Sequence, residues 1–308
     1  MNIGLFIGGI GSAGTISEQI NSLVAAEEEG FDSFWMAHIM DVDVMSMMCI
    51  AAEKTSRIEI ATAVTPTYLR HPIAMAQQAL TLQTIAKGRF TLGLGVNHKP
   101  VVESRFGLKF DKPVRHVREY IEIVKDLFQE GQVNYEGKLF SANTAFTMKE
   151  RHETQILLAA LGPQMLKTAG EMADGTITWM TGPETIKSHT LPQLLDSAKK
   201  YGKPKPRLVA AVPVALTSDK GEGFNVASDY FHRYGQLPSY RAMLNREGVE
   251  SPAEMAIVGN EEEIEKKFRE YSEAGTSDLA VQIFPVGPNQ KESINQTRQF
   301  LRSLIGKI

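Results

Sequence analysis

Short apolar runs alternate with longer amphipathic segments along almost the whole chain. Eight runs have the length and the content of branched and aromatic residues that strands favour; they cover residues 3–7, 31–36, 58–64, 90–94, 155–160, 176–179, 207–216 and 279–284. Between them lie segments with helical spacing of apolar residues, at 17–29, 44–54, 71–86, 117–128, 163–173, 184–201 and 261–273, and a last helix that ends at 305. Strands that alternate with helices predict a parallel sheet, and eight such units predict a closed (β/α)8 TIM barrel.

Two segments interrupt the alternation. Residues 131–150 carry a turn signal at 135–138 and are predicted to form an inserted hairpin or lid. Residues 220–250 form a second insertion, of mixed pattern and rich in aromatic residues. Because no linker composition appears, the sequence predicts a single barrel domain over residues 1–308.

The alternative architecture is a doubly wound sheet of the dinucleotide-binding kind. Gly93 and Gly95 follow a predicted strand, as the first two glycines of that motif do. The third glycine is missing, and no helix is predicted to begin at this point, so the barrel is favoured.

Charge and cysteine content narrow the class of protein. The 33 basic and 36 acidic residues give a net charge of −3, which does not favour binding to nucleic acid or to an anionic membrane surface. Cys49 is the one cysteine and cannot form an internal disulfide or a cysteine metal cluster; we expect it to be a small buried apolar residue. Because no signal peptide or membrane-length apolar run is found, we expect a cytoplasmic protein.

In a barrel of this kind the functional residues follow the carboxyl ends of the strands. The residues predicted to lie there include Gly8, Gly9, Gly11, Gly14, Ala37, His38, Asp41, Thr65, Arg70, His71, Asn97, His98, Leu161, Gly162, Trp179 and Gly182. This set holds no carboxylate pair for glycoside chemistry, no Gly-x-Ser-x-Gly nucleophile motif and no lysine at an interior strand end. It favours a cofactor that brings its own reactivity, for which the protein supplies position and proton handling.

Each candidate residue also has another interpretation. His38, His71 and His98 could together hold a metal ion, although no ligand-spacing motif supports this. His71, directly before a helix, is more typical of a structural residue, and Trp179 could pack in the core. Gly162 begins an ordinary strand-to-helix turn, but the free N–H groups of such a turn also bind anions.

Four blocks of the sequence, in this order and spacing, resemble the bacterial luciferase-like flavin and deazaflavin oxidoreductase superfamily over nearly the whole chain. The blocks are residues 28–35 (EEGFDSFW) leading to His38, residues 57–67 (RIEIATAVTPT) followed by RHP at 70–72, residues 87–96 (KGRFTLGLGV), and residues 161–175 (LGPQMLKTAGEMADG).

The resemblance implies a flavin-like ring at the carboxyl end of the barrel, with a non-prolyl cis peptide bond behind it at Ala63-Val64. It implies that the cofactor is bound by residues at the strand ends: His38, Ala63, Val64, Thr65, Val96, Asn97, Leu161, Gly162, Gln164, Met165 and Trp179. It also implies a homodimer, and a flavin or deazaflavin reductase as a partner that supplies reduced cofactor.

Within the superfamily, the sequence looks closest to the branch that uses the deazaflavin coenzyme F-420, which carries a histidine at the position of His38. Three positions depart from that branch. Ala37 stands where an acid is common, and the glutamate and lysine of its sugar-phosphate dehydrogenases are replaced by His98 and Gly182. These replacements disfavour a sugar phosphate as substrate and leave His98 as a candidate proton donor.

The sequence therefore predicts an oxidoreductase that transfers hydride between coenzyme F-420 and an organic substrate, with His38 and His98 as catalytic residues and no metal. An FMN-dependent two-component monooxygenase on the same barrel is the nearest alternative. A protein that binds a flavin without turnover is a further alternative, and a titrating group at His38 argues against it.

Overall fold

The computed structural model describes residues 1–8, 14–39 and 42–308. Its strands are β1 (Asn2–Ile7), β2 (Ser33–Met36), β3 (Glu59–Thr62), β4 (Thr65–Pro66), β5 (Phe90–Gly95), β6 (Gln132–Glu136), β7 (Ser141–Ala145), β8 (Gln155–Ala159), β9 (Gly175–Trp179), β10 (Arg207–Leu216), β11 (Ile257–Gly259) and β12 (Asp278–Ile283). Its α-helices are α1 (Ile16–Glu29), α2 (Val44–Glu53), α3 (Pro72–Ile85), α4 (Pro113–Gln129), α5 (Pro163–Met172), α6 (Pro183–Thr185), α7 (Leu191–Lys200), α8 (Lys220–Phe231), α9 (Pro238–Glu247), α10 (Glu261–Glu273) and α11 (Gln290–Leu304).

Eight of these strands close into a ring. They pair in parallel in the order β1, β2, β3, β5, β8, β9, β10 and β12, and β12 pairs with β1 again. The helices lie between successive strands along the chain, so the fold is the predicted (β/α)8 TIM barrel. The doubly wound alternative is wrong, because the sheet has no free edge between β9 and β10 or between β12 and β1.

Local signals in the sequence set the ends of several helices. Thr15 caps α1 through a capping box, in which its side chain accepts from the Glu18 N–H and Glu18 binds the Thr15 N–H. Gly30 ends α1 with a φ of 92°, in the left-handed region that glycine adopts without steric cost. Asn260 begins α10 with a capping box of the same kind, and the side chain of Asp43 caps α2 by accepting from the Ser46 N–H.

The structure corrects the predicted bounds of two strands. The third strand was expected over residues 58–64, but β3 ends at Thr62 and pairing resumes only in β4, which pairs with β5. The second was expected to begin at 31, but the Phe31 N–H bonds to the Ala26 carbonyl at the end of α1. Strand pairing is therefore delayed until Ser33.

The two segments that interrupt the alternation have different structures. Between α4 and β8, strands β6 and β7 form an antiparallel hairpin, and the carboxylate of Glu119 in α4 accepts from three backbone N–H groups of its turn, at Lys138, Leu139 and Phe140. Between β10 and β11, the second segment is helical, with a 3-10 turn (His232–Gln236) between α8 and α9.

The barrel interior is closed at its amino end by an ionic cluster. Arg207 begins β10, and its guanidinium binds Glu59 at the start of β3 and Asp278 at the start of β12, each with an N–O distance of 2.7 Å. Burial alone would lower the pKa of Arg207, but its hydrogen bonds to Asp278 and Glu59 raise that pKa above the ordinary value. Above this cluster the interior is apolar, with Trp35 directly against Arg207.

The structure also bears on the burial of the single cysteine and on membrane-spanning helices. Cys49 is half-buried against the main core, and is therefore less buried than the sequence predicts. Within the described residues, no helix combines the length and the apolar composition that crossing a bilayer would require.

Candidate active site

A cavity of about 780 Å³ opens at the carboxyl ends of the barrel strands. Its floor and sides come from the residues that end β2, β3, β5, β8 and β9 or directly follow them, and the turn between α8 and α9 lies over it. Cavities of this size hold cofactor-sized ligands, and this end of a barrel is where such sites form.

Most of the predicted site residues meet in this cavity. It is lined by His38, Ala63, Val64, Val96, Asn97, His98, Leu161, Gly162, Met165 and Trp179. The peptide bond between Ala63 and Val64 is cis, which confirms the expectation drawn from the family resemblance. Gly95 allows this close packing, because a Cβ atom there would lie 2.5 Å from Cγ2 of Val64.

Two predicted residues do not line the cavity. Thr65 is fully buried in β4, and its hydroxyl has no hydrogen-bond partner among the described residues. Gln164 is exposed in the first turn of α5, where its neighbours Gly162 and Met165 supply the cavity wall instead. Of the strand-end residues considered from the sequence, Gly9, Gly11 and Asp41 lie outside the described residues.

His71 lies outside the cavity and has a structural role. Its Nδ1 accepts a hydrogen bond from the Ile73 N–H at 3.3 Å and caps α3, and its ring contacts Phe140 of the hairpin. A site built from His38, His71 and His98 is therefore not formed. No group of three or more histidine, cysteine, aspartate or glutamate side chains is placed to hold a metal ion in the part of the chain that the structure describes.

His38 stands two residues after β2 on the cavity wall. Its Nδ1 is buried and has no hydrogen-bond partner in the described part of the protein. Burial lowers the pKa of its imidazole, and the positive charge of Arg70 lowers it further, whereas Asp43 opposes them. Because the ordinary value is about 6.5, the lowered pKa keeps this imidazole mainly neutral at pH 7.

An ion pair holds the segment that follows His38. Asp43 accepts from the Ser46 N–H at 3.0 Å and caps α2, pairs with the Arg70 guanidinium, and accepts from the Gln78 amide at 3.2 Å. Arg70 belongs to the loop after β4, so the loop after β2 is attached to its neighbour in the ring and to α3.

His98 lines the cavity from the loop after β5, which is two steps around the ring from β2. Asn97 precedes it with a φ of 62°, which asparagine tolerates better than most residues, and its side-chain oxygen accepts from the His98 N–H at 2.7 Å. Burial lowers the pKa of the His98 imidazole. This ring contacts Tyr240 edge-to-face, at a centroid distance of 5.8 Å.

Aromatic rings form one continuous side of the cavity, which we call the aromatic wall: Phe6, Trp179, Tyr234, Tyr240 and His98. Phe6 stacks on Trp179 with centroids 5.2 Å apart, Trp179 meets Tyr234 at 6.0 Å, and Tyr234 meets Tyr240 at 4.9 Å. Trp179 therefore packs against other aromatic rings and lines the cavity at the same time.

The α5 end of the cavity offers hydrogen-bond donors. Gly162 stands at the N-cap of α5 with no side-chain cap, so the first backbone N–H groups of this helix lack a capping side chain. A Cβ atom at Gly162 would meet nothing within 4 Å. Arg105 and Arg233, both exposed, line the same cavity from the loops after β5 and β10. Among the described residues neither has an ion-pair partner within 4.0 Å.

Sequence reasoning did not identify Arg105, Arg233, Tyr234 and Tyr240 as site residues. Arg105 ends a π-helical turn (Val101–Arg105), and the other three lie in or beside the helical insertion after β10. The one available signal was the aromatic content of that insertion, which does not indicate which rings face the barrel.

Comparisons with known proteins identify the family. A family model described as luciferase-like monooxygenase matches residues 1–278. A 5,10-methylenetetrahydromethanopterin reductase of Archaeoglobus fulgidus is 28% identical over 305 residues, covering 87% of this chain and 90% of its own. A solved F-420-dependent secondary alcohol dehydrogenase, in complex with an F-420–acetone adduct, matches with a TM-score of 0.81 at 21% identity and 97% coverage of both chains. The oxygenating constituent of 3,6-diketocamphane monooxygenase from Pseudomonas putida, in complex with FMN, matches with a TM-score of 0.77 at 17% identity, covering 100% of this chain and 97% of that one.

Proposed function

The chain belongs to the luciferase-like monooxygenase family of oxidoreductases, and we propose that it uses the deazaflavin coenzyme F-420 to exchange hydride with an organic substrate. The observation that carries the proposal is His38, a mainly neutral imidazole on the cavity wall whose buried Nδ1 has no partner in the described protein. A buried polar atom without a partner costs free energy, and a cofactor or substrate that bonds to it would remove that cost.

The cavity fits a flat cofactor with an anionic tail. On the β3 side its wall is built from small or branched apolar side chains, Ala63 and Val64, beside Gly95, and such a surface can lie against one face of a ring. Elsewhere in the lining, the N-terminus of α5 and the guanidinium groups of Arg105 and Arg233 are suited to phosphate or carboxylate groups. When bound, the deazaflavin supplies the ring carbon that carries hydride.

The two cavity histidines supply proton handling in this proposal. Removing hydride from an alcohol carbon leaves a proton on its oxygen that a base must accept. The pKa values of His38 and His98 are both lowered, so each imidazole is available as an acceptor near neutral pH. We propose His38 and His98 as the catalytic residues, and Ala63, Val64, Val96, Asn97, Leu161, Gly162, Met165 and Trp179 as cofactor contacts.

An FMN-dependent monooxygenase is the second candidate function. It is supported by the FMN-bound structural neighbour and by the same cavity, because FMN also combines a flat tricyclic ring with a phosphate. The two functions differ in their response to dioxygen, with which reduced flavins react much faster than reduced deazaflavins. A protein that binds flavin without turnover would not need a neutral imidazole at His38.

The deciding experiment is a titration of the cofactor-free protein with coenzyme F-420 and with FMN, followed by tryptophan fluorescence and by calorimetry. We expect the dissociation constant for F-420 to be at least tenfold lower than that for FMN. We also expect the complex with reduced F-420 to consume no dioxygen over minutes. Tighter binding of FMN, together with dioxygen consumption by the reduced complex, would instead support the monooxygenase.

The expected homodimer and the reductase partner stay predictions. Sedimentation equilibrium and a reconstituted assay with a purified flavin or deazaflavin reductase would test them directly.

A further inference from the structure

We propose that the aromatic wall forms a substrate subsite that selects flat, uncharged molecules, namely conjugated alcohols and the ketones or aldehydes formed from them. The inference rests on the proposed function, because it places the substrate beside the cofactor ring. It names a substrate class that neither the family nor its matched members identify for this chain.

The order of strands in the ring places the subsite. Ala63 and Val64 follow β3, and four steps around the ring from β3 lies β10. The helical insertion that carries Tyr234 and Tyr240 follows β10. A flat ring with one face against Ala63 and Val64 therefore turns its other face toward the insertion, and the remaining space on that side is bounded by Tyr234 and Tyr240 of the aromatic wall.

The geometry of the wall suits a flat guest. Tyr234 and Tyr240 meet at 60°, and His98 meets Tyr240 at 62°, so neighbouring rings are held edge-to-face and leave part of their surfaces directed into the cavity. Aromatic pairs prefer offset-stacked or edge-to-face contacts with centroids 4.5–7 Å apart. A planar conjugated molecule can make such contacts with several of these rings, whereas a puckered saturated ring cannot stack.

The wall carries no net charge near neutral pH. Burial raises the pKa of both tyrosines, and burial lowers the pKa of His98. Among the described residues that line the cavity there is no carboxylate and no lysine. The arginines of the lining, Arg105 and Arg233, are exposed at its rim. Because the proposal assigns both arginines to the anionic tail of the cofactor, a charged group buried against the wall would have no counter-ion of its own, and burial of an unpaired charge is costly.

The reaction of such a substrate balances with the groups present in the proposal. In the oxidation of a conjugated alcohol, the C–H bond of the carbinol carbon breaks and its electron pair leaves as hydride to oxidised deazaflavin. The O–H proton passes to one of the two cavity imidazoles, His38 or His98, and the C=O bond forms. The alcohol loses two electrons and the deazaflavin gains them, and the imidazole returns its proton to solvent.

The test is a binding measurement that needs no turnover. The probes are 2-acetylnaphthalene, its ring-saturated counterpart 2-acetyldecalin, and the anion 2-naphthoate, each titrated by calorimetry into the complex with oxidised F-420. We expect 2-acetylnaphthalene to bind at least tenfold more tightly than either of the others. Equal binding of the flat and saturated ketones would overturn the selection for flatness, and tighter binding of 2-naphthoate would overturn the selection against charge.

Variants assign the selectivity to the wall. Tyr240→Leu and Tyr234→Leu should reduce the preference for the flat ketone to less than threefold, whereas Tyr240→Phe, which keeps the ring, should retain it. Tyr201→Leu, at an exposed tyrosine remote from the cavity lining, is the matched control and should leave the preference unchanged. Circular dichroism confirms that each variant is folded, and an unchanged preference in both leucine variants would overturn the proposal.

The same titrations separate this inference from the proposed function. If F-420 fails to bind and FMN binds, the probes are titrated into the FMN complex. A preference for the flat ketone there would uphold the subsite while the proposed cofactor fails. Tight binding of F-420 without any preference would uphold the cofactor and overturn the subsite.

Discussion

The imidazole of His38 lines the cavity within electrostatic reach of the Asp43–Arg70 ion pair, and the two charges of that pair act in opposite directions on its pKa. Burial and Arg70 lower its pKa, whereas Asp43 raises it. Removing one partner of the ion pair should therefore move the His38 titration in a direction that depends on which partner is removed. A purely structural role of the pair would not produce opposite shifts.

We predict that Arg70→Gln raises the pKa of His38 and that Asp43→Asn lowers it, relative to the unchanged protein. The measurement is an NMR titration of the His38 ring between pH 4 and 8, with His38→Gln used to assign the signal. Arg269→Gln, at an exposed ion pair on α10, should leave the titration in place. Shifts of the same sign in Arg70→Gln and Asp43→Asn would contradict the electrostatic explanation.

Replacement of His38 itself separates chemistry from folding. Because its Nδ1 makes no hydrogen bond within the described protein, His38→Ala removes no internal partner and should change the melting temperature by only a few degrees. Positioned acid–base catalysis contributes roughly a hundred- to ten-thousand-fold in rate. We therefore expect the turnover number to fall by a factor in that range, while cofactor affinity is largely kept. A near-normal rate combined with a large loss of stability would make His38 structural and His98 the better candidate.

Among single site residues, the sequence identified those whose position follows from the end of a strand. His38, Gly162 and Trp179 could be placed because each ends or follows a strand, and the carboxyl ends of parallel strands meet at one rim. Tyr234 and Tyr240 could not, since their place over the barrel depends on how α8 and α9 pack. That packing is decided by apolar contacts that have no local signature.

The N-terminus of α5 is the element on which cofactor affinity should depend most. Gly162 has φ −80° and ψ 156°, a conformation open to any residue, and a Cβ atom there would touch no protein atom within 4 Å. We therefore predict that Gly162→Val changes the free energy of unfolding by less than about 0.5 kcal/mol, yet weakens cofactor binding at least tenfold, because the added side chain enters the space of the anionic tail. Urea unfolding and calorimetric titration measure the two effects, and unchanged affinity would remove α5 from the site.

Helix α4 contains a buried histidine that should make stability depend on pH. His116 stacks on Tyr68, with centroids 4.0 Å apart, and its Nε2 lies 2.9 Å from the Thr67 hydroxyl. Burial lowers its pKa to about 4, with Glu119 opposing the effect. Below about pH 6.5 the imidazole of His116 binds a proton in the unfolded chain, whereas in the folded chain it stays neutral until about pH 4. The free energy of unfolding therefore decreases as the pH falls from 6.5 toward 4.

We predict that lowering the pH from 7 to 4.5 costs the natural chain about 2 kcal/mol more than it costs His116→Phe, since each pKa unit corresponds to roughly 1.4 kcal/mol. Urea unfolding at both pH values gives the two differences. His152→Phe, at a histidine on the protein surface, tests whether the loss of any imidazole has this effect. Equal pH dependence in the natural chain and His116→Phe would contradict the assignment.

The elements that the sequence predicted have a local repeat of apolar residues, whereas those that it missed depend on pairing with a neighbouring strand. The helices α4 and α10 repeat apolar residues over several turns, so periodicity alone places them. Strands β4 and β11 have two and three residues, too few for any period. They exist because β5 extends past the end of β3 and β10 past the end of β9, and the backbone groups exposed there pair with these short segments.

The whole molecule separates the groups that stabilise the barrel from those proposed to act in catalysis. Arg207, Glu59 and Asp278 stand at the amino ends of three strands, whereas His38, His98 and Gly162 follow carboxyl ends. The sequence predicted the second group because these residues directly follow predicted strands, and the carboxyl ends of barrel strands carry the functional residues. It did not predict the first, since Glu59 and Asp278 are far apart in the chain and are brought together with Arg207 only by ring closure.

This separation makes Arg207→Met a test of the whole architecture. Asp278 is 1% exposed, and Arg207 is the charge that pairs with it, so the variant leaves a buried carboxylate without its counter-ion. Breaking a buried pair in this way costs about 3–5 kcal/mol, and we expect a loss of that size in urea unfolding at pH 7. The exposed pair control, Arg269→Met, should cost no more than about 0.5 kcal/mol. Cofactor affinity of the folded Arg207→Met protein should stay within twofold, because the cavity lies at the opposite end of the barrel. A large loss of affinity with little loss of stability would show that the two ends are not separated in this way.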